Sequence, residues 1–401
     1  MKKRSVSDFA LFGGQPIFAS FRTTMNLVVP NREVFFRYAE QSFKNKHLTN
    51  NGPAVQKLEE QLGELHQVRH CICFCNCFTG MYLTLRALAL AGRKEVVVPS
   101  LTYRRMADII DWAGLLPRFC DVEKETLGVS PSTVRPCINK DTTLILAPHP
   151  ITRLCDIEGM EMLAHEYGLP LVFDSVEACG GAYHGKMIGG FGNCESFSMH
   201  SSKVLNSCEG GYVTTNDDEL AHKLRITRAF GFYGRDHIET LGLNAKLNEL
   251  HAAMGLATLC DLDEQIEQNK RVHLAYQKHL SELPGITVID YDRNERRNWK
   301  SVLVRLNEAW PFTRAETLQI LNAENIHART YYAPAQHMTF PRQAGKDEHI
   351  LSVTQEAAEN HFLLPFGSTV SEVDTAVVGE VFTSMLKQSV AIHKKMAMEA
   401  L

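Results

Sequence analysis

The 401-residue chain lacks any apolar run near the 18 or so residues that a membrane-crossing helix needs, which argues against a helical membrane protein. It also lacks a surplus of positive charge. Its 42 Lys and Arg stand against 46 Asp and Glu, for a net charge of −4, whereas a non-specific nucleic-acid binder depends on a basic surplus. No pair of CxxC motifs, internal repeat or low-complexity segment occurs. The opening MKKRSVSDFALFGGQPIF starts basic, but Asp8, the Gly13–Gly14 pair and Pro16 interrupt its apolar stretch, so it does not read as a secretion signal. Eleven cysteines, an odd number spread over a long chain, do not make a compact disulfide framework. These features together read as a cytoplasmic protein with reduced thiols.

Cys71, Cys73, Cys75 and Cys77 alternate in CICFCNC. Alternation is strand spacing, and it puts the four sulfurs on one face of an extended chain, roughly 6–7 Å apart. A tetrahedral zinc site needs converging ligands at about 2.3 Å, so these residues read as small apolar side chains packed on a strand. At 44% apolar and 22% charged the composition is that of a globular protein, and the length suggests two to three domains at about 150 residues each.

The middle of the chain alternates short apolar runs (CICFCN, EVVVPS, TLILAPH, LPLVFD, CESFSM) with stretches of helical periodicity (MYLTLRALALAG, MADIIDWAG, IEGMEMLAHEYG). Such repetition predicts an α/β domain with a mostly parallel sheet. The runs are apolar throughout, as expected of strands covered on both faces. After about residue 245 the texture changes. LNELHAAMGLATLCDLDEQIEQNKRVHLAYQKHLSEL predicts one long helix or two in series. ITVIDYD, SVLVRLN and IHARTYY read as strands, with a helix over TRAETLQILNAEN. The division expected is a large α/β domain over 1–255 and a smaller α+β domain over 256–401.

In open α/β sheets ligands gather outside the carboxyl ends of the strands. LPLVF ends in Asp174, and ESFSM is followed by HSS and then Lys203. A salt bridge is one reading of that pair. The surroundings favour another: Ser198, Ser201, Ser202 and Glu209–Gly211 offer hydroxyls and close backbone approach to an anion. A lysine, a carboxylate and an anion cup together suit pyridoxal phosphate, whose aldehyde condenses with the amine and whose ring nitrogen is kept protonated by the acid.

The segment 173–221, FDSVEACGGAYHGKMIGGFGNCESFSMHSSKVLNSCEGGYVTTNDDELA, closely resembles the DegT/DnrJ-type (StrS-like) sugar aminotransferases, and the resemblance covers most of the chain. GGQPIF (13–18), LTNNGPAVQKLEEQL (48–62), VVVPSLTY (96–103), LGLNAKLNELHAAMGLATL (241–259) and ENIHARTYYAPAQHM (324–338) match the family's motifs in order. The resemblance implies aminotransferase fold type I, pyridoxal 5'-phosphate as cofactor and a homodimer with shared active sites. The implied reaction moves an amino group from L-glutamate or L-glutamine to a nucleotide-linked 3- or 4-keto-6-deoxyhexose, with neither nucleic acid nor membrane involved.

By the same resemblance, Lys203 is the Schiff-base lysine and proton carrier, and Asp174 the partner of the ring nitrogen. Glu177 lies near the phenolic oxygen and Tyr103 stacks on the ring. Ser198 and, from the other subunit, Asn244 hold the phosphate. Lys246, Arg329 and His337 lie near the substrate. Other readings stand beside these: Tyr103 as a core aromatic, Asn244 as the cap of the following helix, Lys246 as a surface charge and Arg329 as an ion-pair residue. Two positions depart from the family pattern. Cys77–Phe78 replaces the usual Gly-Thr at the phosphate cup, where Thr79 offers a compensating hydroxyl. HPITRLCD (149–156) lacks the usual Gly. These departures bear on the acceptor, so a non-sugar ketone is an alternative substrate. A same-fold dehydratase would carry His in place of Lys203, and a non-catalytic protein would have no use for an intact Lys203 and Asp174.

Overall fold

The computed structural model describes residues 3–25, 28–234, 236–345 and 350–399. Seven strands form its main sheet: β1 (His70–Phe74), β2 (Glu95–Pro99), β3 (Leu116–Cys120), β4 (Thr142–Pro148), β5 (Leu171–Asp174), β6 (Cys194–Ser198) and β7 (Gly211–Thr215). Their order is β1-β7-β6-β5-β4-β2-β3. The pairings from β3 through β6 are parallel, and β7 runs antiparallel to both β6 and β1. Alternate residues feed opposite faces, as strand geometry requires. Val97, Ile145 and Phe173 enter one core, while Val96, Leu144 and Val172 enter another on the far side of the sheet. Two-sided burial is why β2, β4 and β5 carry no polar alternation in their central residues.

Helices cover both faces, among them α1 (Pro53–His66), α2 (Cys77–Leu88), α3 (Met106–Trp112) and α4 (Ile157–Tyr167). Two of them stop at a glycine. After α3, Gly114 has φ +76°, and after α4, Gly168 caps the helix at φ +60°, a conformation open to glycine at no steric cost. The long helical stretch is two helices, α5 (Glu249–Cys260) and α6 (Leu262–Leu280), joined at Asp261. The cap of α5 is Asn248, whose side chain accepts from the His251 N–H, so Asn244 is not the helix cap.

The alternating cysteines need a correction. Cys71 and Cys73 are buried on β1, but the strand ends at Phe74 and Cys77 is the first residue of α2, so the four sulfurs do not share one face. Asn76 ends the extended run by capping α2, its side chain accepting from the Thr79 N–H.

A second, antiparallel sheet contains β8 (Ile286–Val288), β9 (Val302–Leu306), β10 (Arg329–Thr330) and β11 (His361–Leu364), in the order β8-β9-β11-β10. Its core takes in Phe9 and Phe18 beside residues 272–392, so part of the N-terminal segment packs with the C-terminal elements.

Gly211 sets how closely α2 can approach β7. A Cβ there would lie 2.3 Å from the Cys77 nitrogen and 2.4 Å from its Cα, both backbone atoms. Gly211→Ala is expected to cost about 1–3 kcal/mol in stability, the usual price of overpacking. Gly63→Ala, inside α1 with only the Val68 carbonyl at 3.4 Å, should be neutral or stabilising by up to about 1 kcal/mol. Denaturant unfolding of the two variants checks the contrast, and equal effects would show that the close approach at Gly211 is not limiting.

Candidate active site

The parallel strands β4, β5 and β6 end side by side at Pro148, Asp174 and Ser198. Above these ends lies a cavity of about 600 Å³ between the main sheet and the second sheet. Asp174, Glu177, Ser198 and Lys203 line it from the large sheet's loops; Cys77 and Phe78 line it from the start of α2 and Tyr103 from the loop after β2. Lys300, Arg329 and Tyr332 line it from the C-terminal elements. Parallel strands carry successive chain segments to one edge, which is how residues 29 positions apart in sequence, Asp174 and Lys203, come to share a pocket.

Lys203 Nζ donates to Glu177 Oε1 at 2.9 Å, and Lys300 Nζ donates to Glu177 Oε2 at 2.5 Å. Burial pushes the Glu177 carboxyl up, but the two ammonium groups outweigh it and bring the pKa down to about 2. Burial pulls Lys203 down, yet Glu177 and then Asp174 more than offset that, so its pKa is raised. For Lys300 burial wins over Glu177, the Lys203 charge adds to it, and the pKa is lowered. Asp174 is 7% exposed, and one carboxylate oxygen accepts from the Val176 N–H at 3.2 Å. Burial first, then the Glu177 charge, raise its pKa to about 7 against the pull of that hydrogen bond and of Lys203. Among the described residues it has no cation of its own in contact, unlike Glu177.

Where the anion cup is expected, most of the available donors are backbone groups. Cys77 and Phe78 supply the first two N–H groups of α2, which find no acceptor within a helix. Gly210 lines the cavity and Gly211 lets β7 pass close to Cys77. Thr79 does not compensate for the missing threonine hydroxyl. It lies outside the cavity lining, its N–H is spent on Asn76, and its hydroxyl faces Cys75. Ser202 lines the cavity with its hydroxyl 2.9 Å from His200 Nδ1, whereas Ser201 does not line it.

Tyr103 is 49% exposed on the cavity wall, so it is not a core aromatic. Arg329 lines the cavity from β10 and is exposed. Three expected residues lie elsewhere. His337 sits behind the wall, its Nδ1 2.7 Å from Ser100 Oγ. Asn244 is exposed outside the cavity, and Lys246 Nζ lies 4.2 Å from the centre of the Phe230 ring. In HPITRLCD, His149 and Ile151 reach the cavity, and Gly128 packs against Cys155 and Pro150 from the neighbouring loop.

Residues 31–383 match the model of the DegT/DnrJ/EryC1/StrS aminotransferase family. The chain belongs to that family. This aminotransferase is 30% identical over 310 residues to the dTDP-4-amino-4,6-dideoxy-D-glucose transaminase of Escherichia coli, covering 76% of this chain and 82% of the relative. It is 28% identical over 340 residues to the GDP-perosamine synthase of Caulobacter vibrioides, covering 84% and 91%. Its fold superposes on DesI, crystallised in the presence of its TDP-sugar product, with a TM-score of 0.92 and 32% identity over 98% of this chain and 100% of that one. The aminotransferase is pyridoxal-phosphate-dependent, with fold type I architecture. The site suits that cofactor: among the described residues a buried acid lacks a cation in contact and the N–H groups heading α2 are unspent, while a lysine amine faces the same space.

Sequence reasoning missed Lys300, Tyr332 and Arg104, which line the cavity. Lys300 and Tyr332 come from the second sheet's connections, where Lys300 precedes an apolar run rather than following one, and Arg104 directly follows Tyr103.

The Asp174 shift has a sign that can be checked. Folded, cofactor-free protein holds this proton to about pH 7, while the unfolded chain loses it near 3.8. The stability contributed by neutral Asp174 is therefore present below about pH 4 and lost as pH rises to about 7. Cofactor-free Asp174→Asn should gain on the parent through that window, by up to about 4 kcal/mol. Unfolding curves at pH 4, 5.5 and 7.5 read the difference, and a pH-independent gap would show that Asp174 is not held neutral.

Proposed function

We propose that this enzyme moves an amino group from L-glutamate or L-glutamine to a nucleotide-linked 3- or 4-keto-6-deoxyhexose, working as a homodimer in the cytoplasm. The observation that carries the reaction is Lys203 facing the same cavity as the buried acid Asp174 at the carboxyl edge of the sheet. The nucleotide-sugar acceptor is supported by the names of the two relatives and of DesI. It is also supported by Arg104 and Arg329, exposed cations on the cavity wall that suit a diphosphate.

Pyridoxal phosphate, when bound, supplies an aldehyde that condenses with amines and a ring that accepts electrons from the adjacent carbon. Lys203 would hold it covalently. Asp174 would face the ring nitrogen, where a cation relieves the cost of burying its charge. Tyr103 would cover the ring, and Glu177 would lie by the phenolic oxygen. Ser198 with the Cys77 and Phe78 N–H groups would hold the phosphate. Lys203 Nζ, free of the cofactor, would take the proton from the donor's α-carbon and deliver it to the carbon on the other side of the donor's nitrogen. A positioned base of this kind contributes roughly 10²–10⁴-fold. The second half runs the same steps in reverse on the keto-sugar.

The absorbance spectrum tests the cofactor and donor together. The purified protein should show a visible band that L-glutamate or L-glutamine bleaches with release of the keto acid. Lys203→Ala should lose steady-state transamination by at least about 100-fold while still binding the cofactor non-covalently. A visible band indifferent to both donors would move the reading to another donor or another reaction, and a Lys203→Ala enzyme that still turns over would remove the role given to that lysine.

Asn244 and Lys246, outside their own cavity, suit a role in a partner's site. The test is complementation between two inactive subunits. Mixing Lys203→Ala with Lys246→Ala chains should restore about a quarter of parental activity, since half the dimers are mixed and each has one intact site. No recovery after subunit exchange would place Lys246 outside the shared site.

A further inference from the structure

Lys300 plays no part in the mechanism above, yet the fold delivers it to the centre of the site. Asn298 Nδ2 donates to the carbonyls of Glu177 and Cys179, both at 2.9 Å, which ties residues 297–300 to the loop after β5. Trp299 takes φ +52°, the left-handed region that a bulky residue adopts only under constraint. The Lys300 N–H donates back to Asn298 Oδ1 at 3.2 Å. Held this way, its buried side chain reaches the cavity and meets Glu177 on the oxygen that Lys203 leaves open.

One carboxylate thus divides its charge between two ammonium groups. An ammonium has no lone pair, so a lysine paired with the whole charge of a buried carboxylate would stay protonated and could neither attack an aldehyde nor accept a proton. We infer that Lys300 is a positioning residue that fixes Glu177 and competes with Lys203 for its charge, so that the Lys203 amine can give up its proton and react. The inference rests on the reading of Lys203 as the cofactor-binding amine.

The other groups facing this cluster do not substitute for Lys300. Asp174 and Cys77 lie near Lys203, as does Tyr103, and Cys179 lies near Lys300. Tyr291, Tyr331 and Tyr332 feel the Glu177 charge. Burial raises every one of these thiols and phenols above its ordinary value, so they stay neutral up to about pH 9. Asp174 adds negative charge as pH rises and works against release of the Lys203 proton.

The test uses the full chain stripped of cofactor. Pyridoxal phosphate is added across pH 6–10 and trapped with borohydride. The Lys203 amine adds to the aldehyde with loss of water, hydride reduces the C=N bond to a secondary amine, and peptide mass mapping locates the label. Lys300→Met should move the labelling midpoint up by about one pH unit, a roughly tenfold slower reaction at pH 7.5. Lys300→Arg, which keeps the charge, should keep the parental midpoint. Lys300→Gln keeps a donor to Glu177 without charge and should behave as Lys300→Met, which covers the case in which the methionine variant does not fold. A parental midpoint in the uncharged variants, whatever their stability, overturns the inference. Failure of the unsubstituted protein to label at Lys203 overturns the reading of Lys203 itself, and this inference with it.

Discussion

Glu177 is held between two ammonium groups in a place with little access to water. Burial alone would keep such a carboxyl neutral, but Lys203 and Lys300 keep it ionised. An isolated buried charge is far costlier than a paired one, so each member of the trio depends on the others being in place. Much of the site's architecture serves that requirement. The loop after β5 presents Glu177, the turn after β6 presents Lys203, and the Asn298 contacts hold Lys300 against both. The cluster also links the two sheets, because Lys300 belongs to the connection into β9 while its partners belong to the main sheet.

Asp174 is treated in the opposite way. It is more deeply buried than Glu177, but among the described residues no cation touches it, and its proton is retained to about pH 7. The difference between two acids three residues apart comes from which one the lysines reach. Glu177 serves as a fixed negative charge. Asp174 is a buried acid whose ionisation awaits a positive partner, the part proposed above for the ring nitrogen of the cofactor.

The parallel sheet was legible because its strands are short apolar runs bounded by turn residues, and Asp174 and Lys203 were legible because they follow two of those runs. Strands that break this pattern are not legible in the sequence. In β3, Pro117 and Arg118 interrupt the apolar run, and Arg118 is accepted in the interior because its Nε lies 2.6 Å from Glu95 Oε2. In β7, Thr214 and Thr215 read as polar, yet their hydroxyls are satisfied by the Glu195 and Asn193 carbonyls of the neighbouring chain segment. β11 begins with His361 directly after the helix Ser352–Asn360, so no turn residues announce it. Lys300 was invisible for a related reason. Its partner Glu177 lies 123 residues earlier, and only the packing of the second sheet onto the first brings them together.

The departures at residues 77 and 78 follow from where the cup's chemistry resides. Replacing Gly-Thr by Cys-Phe removes a hydroxyl but leaves two backbone N–H groups at the head of α2, and those donors are independent of the side chain. Burial keeps the Cys77 thiol protonated, so it adds no negative charge beside a phosphate. Phe78 takes a place among the residues packed against the far-side core as well as on the cavity wall, so its ring has an apolar surface to rest on. The deep end of the site is therefore built from backbone donors and buried, mutually paired charges, where a single change disturbs several groups at once. The opening carries exposed Tyr103, Arg104 and Arg329, where side chains change without unsettling the core. On the proposed function, chemistry common to the family would belong in the first region, and discrimination among acceptors in the second.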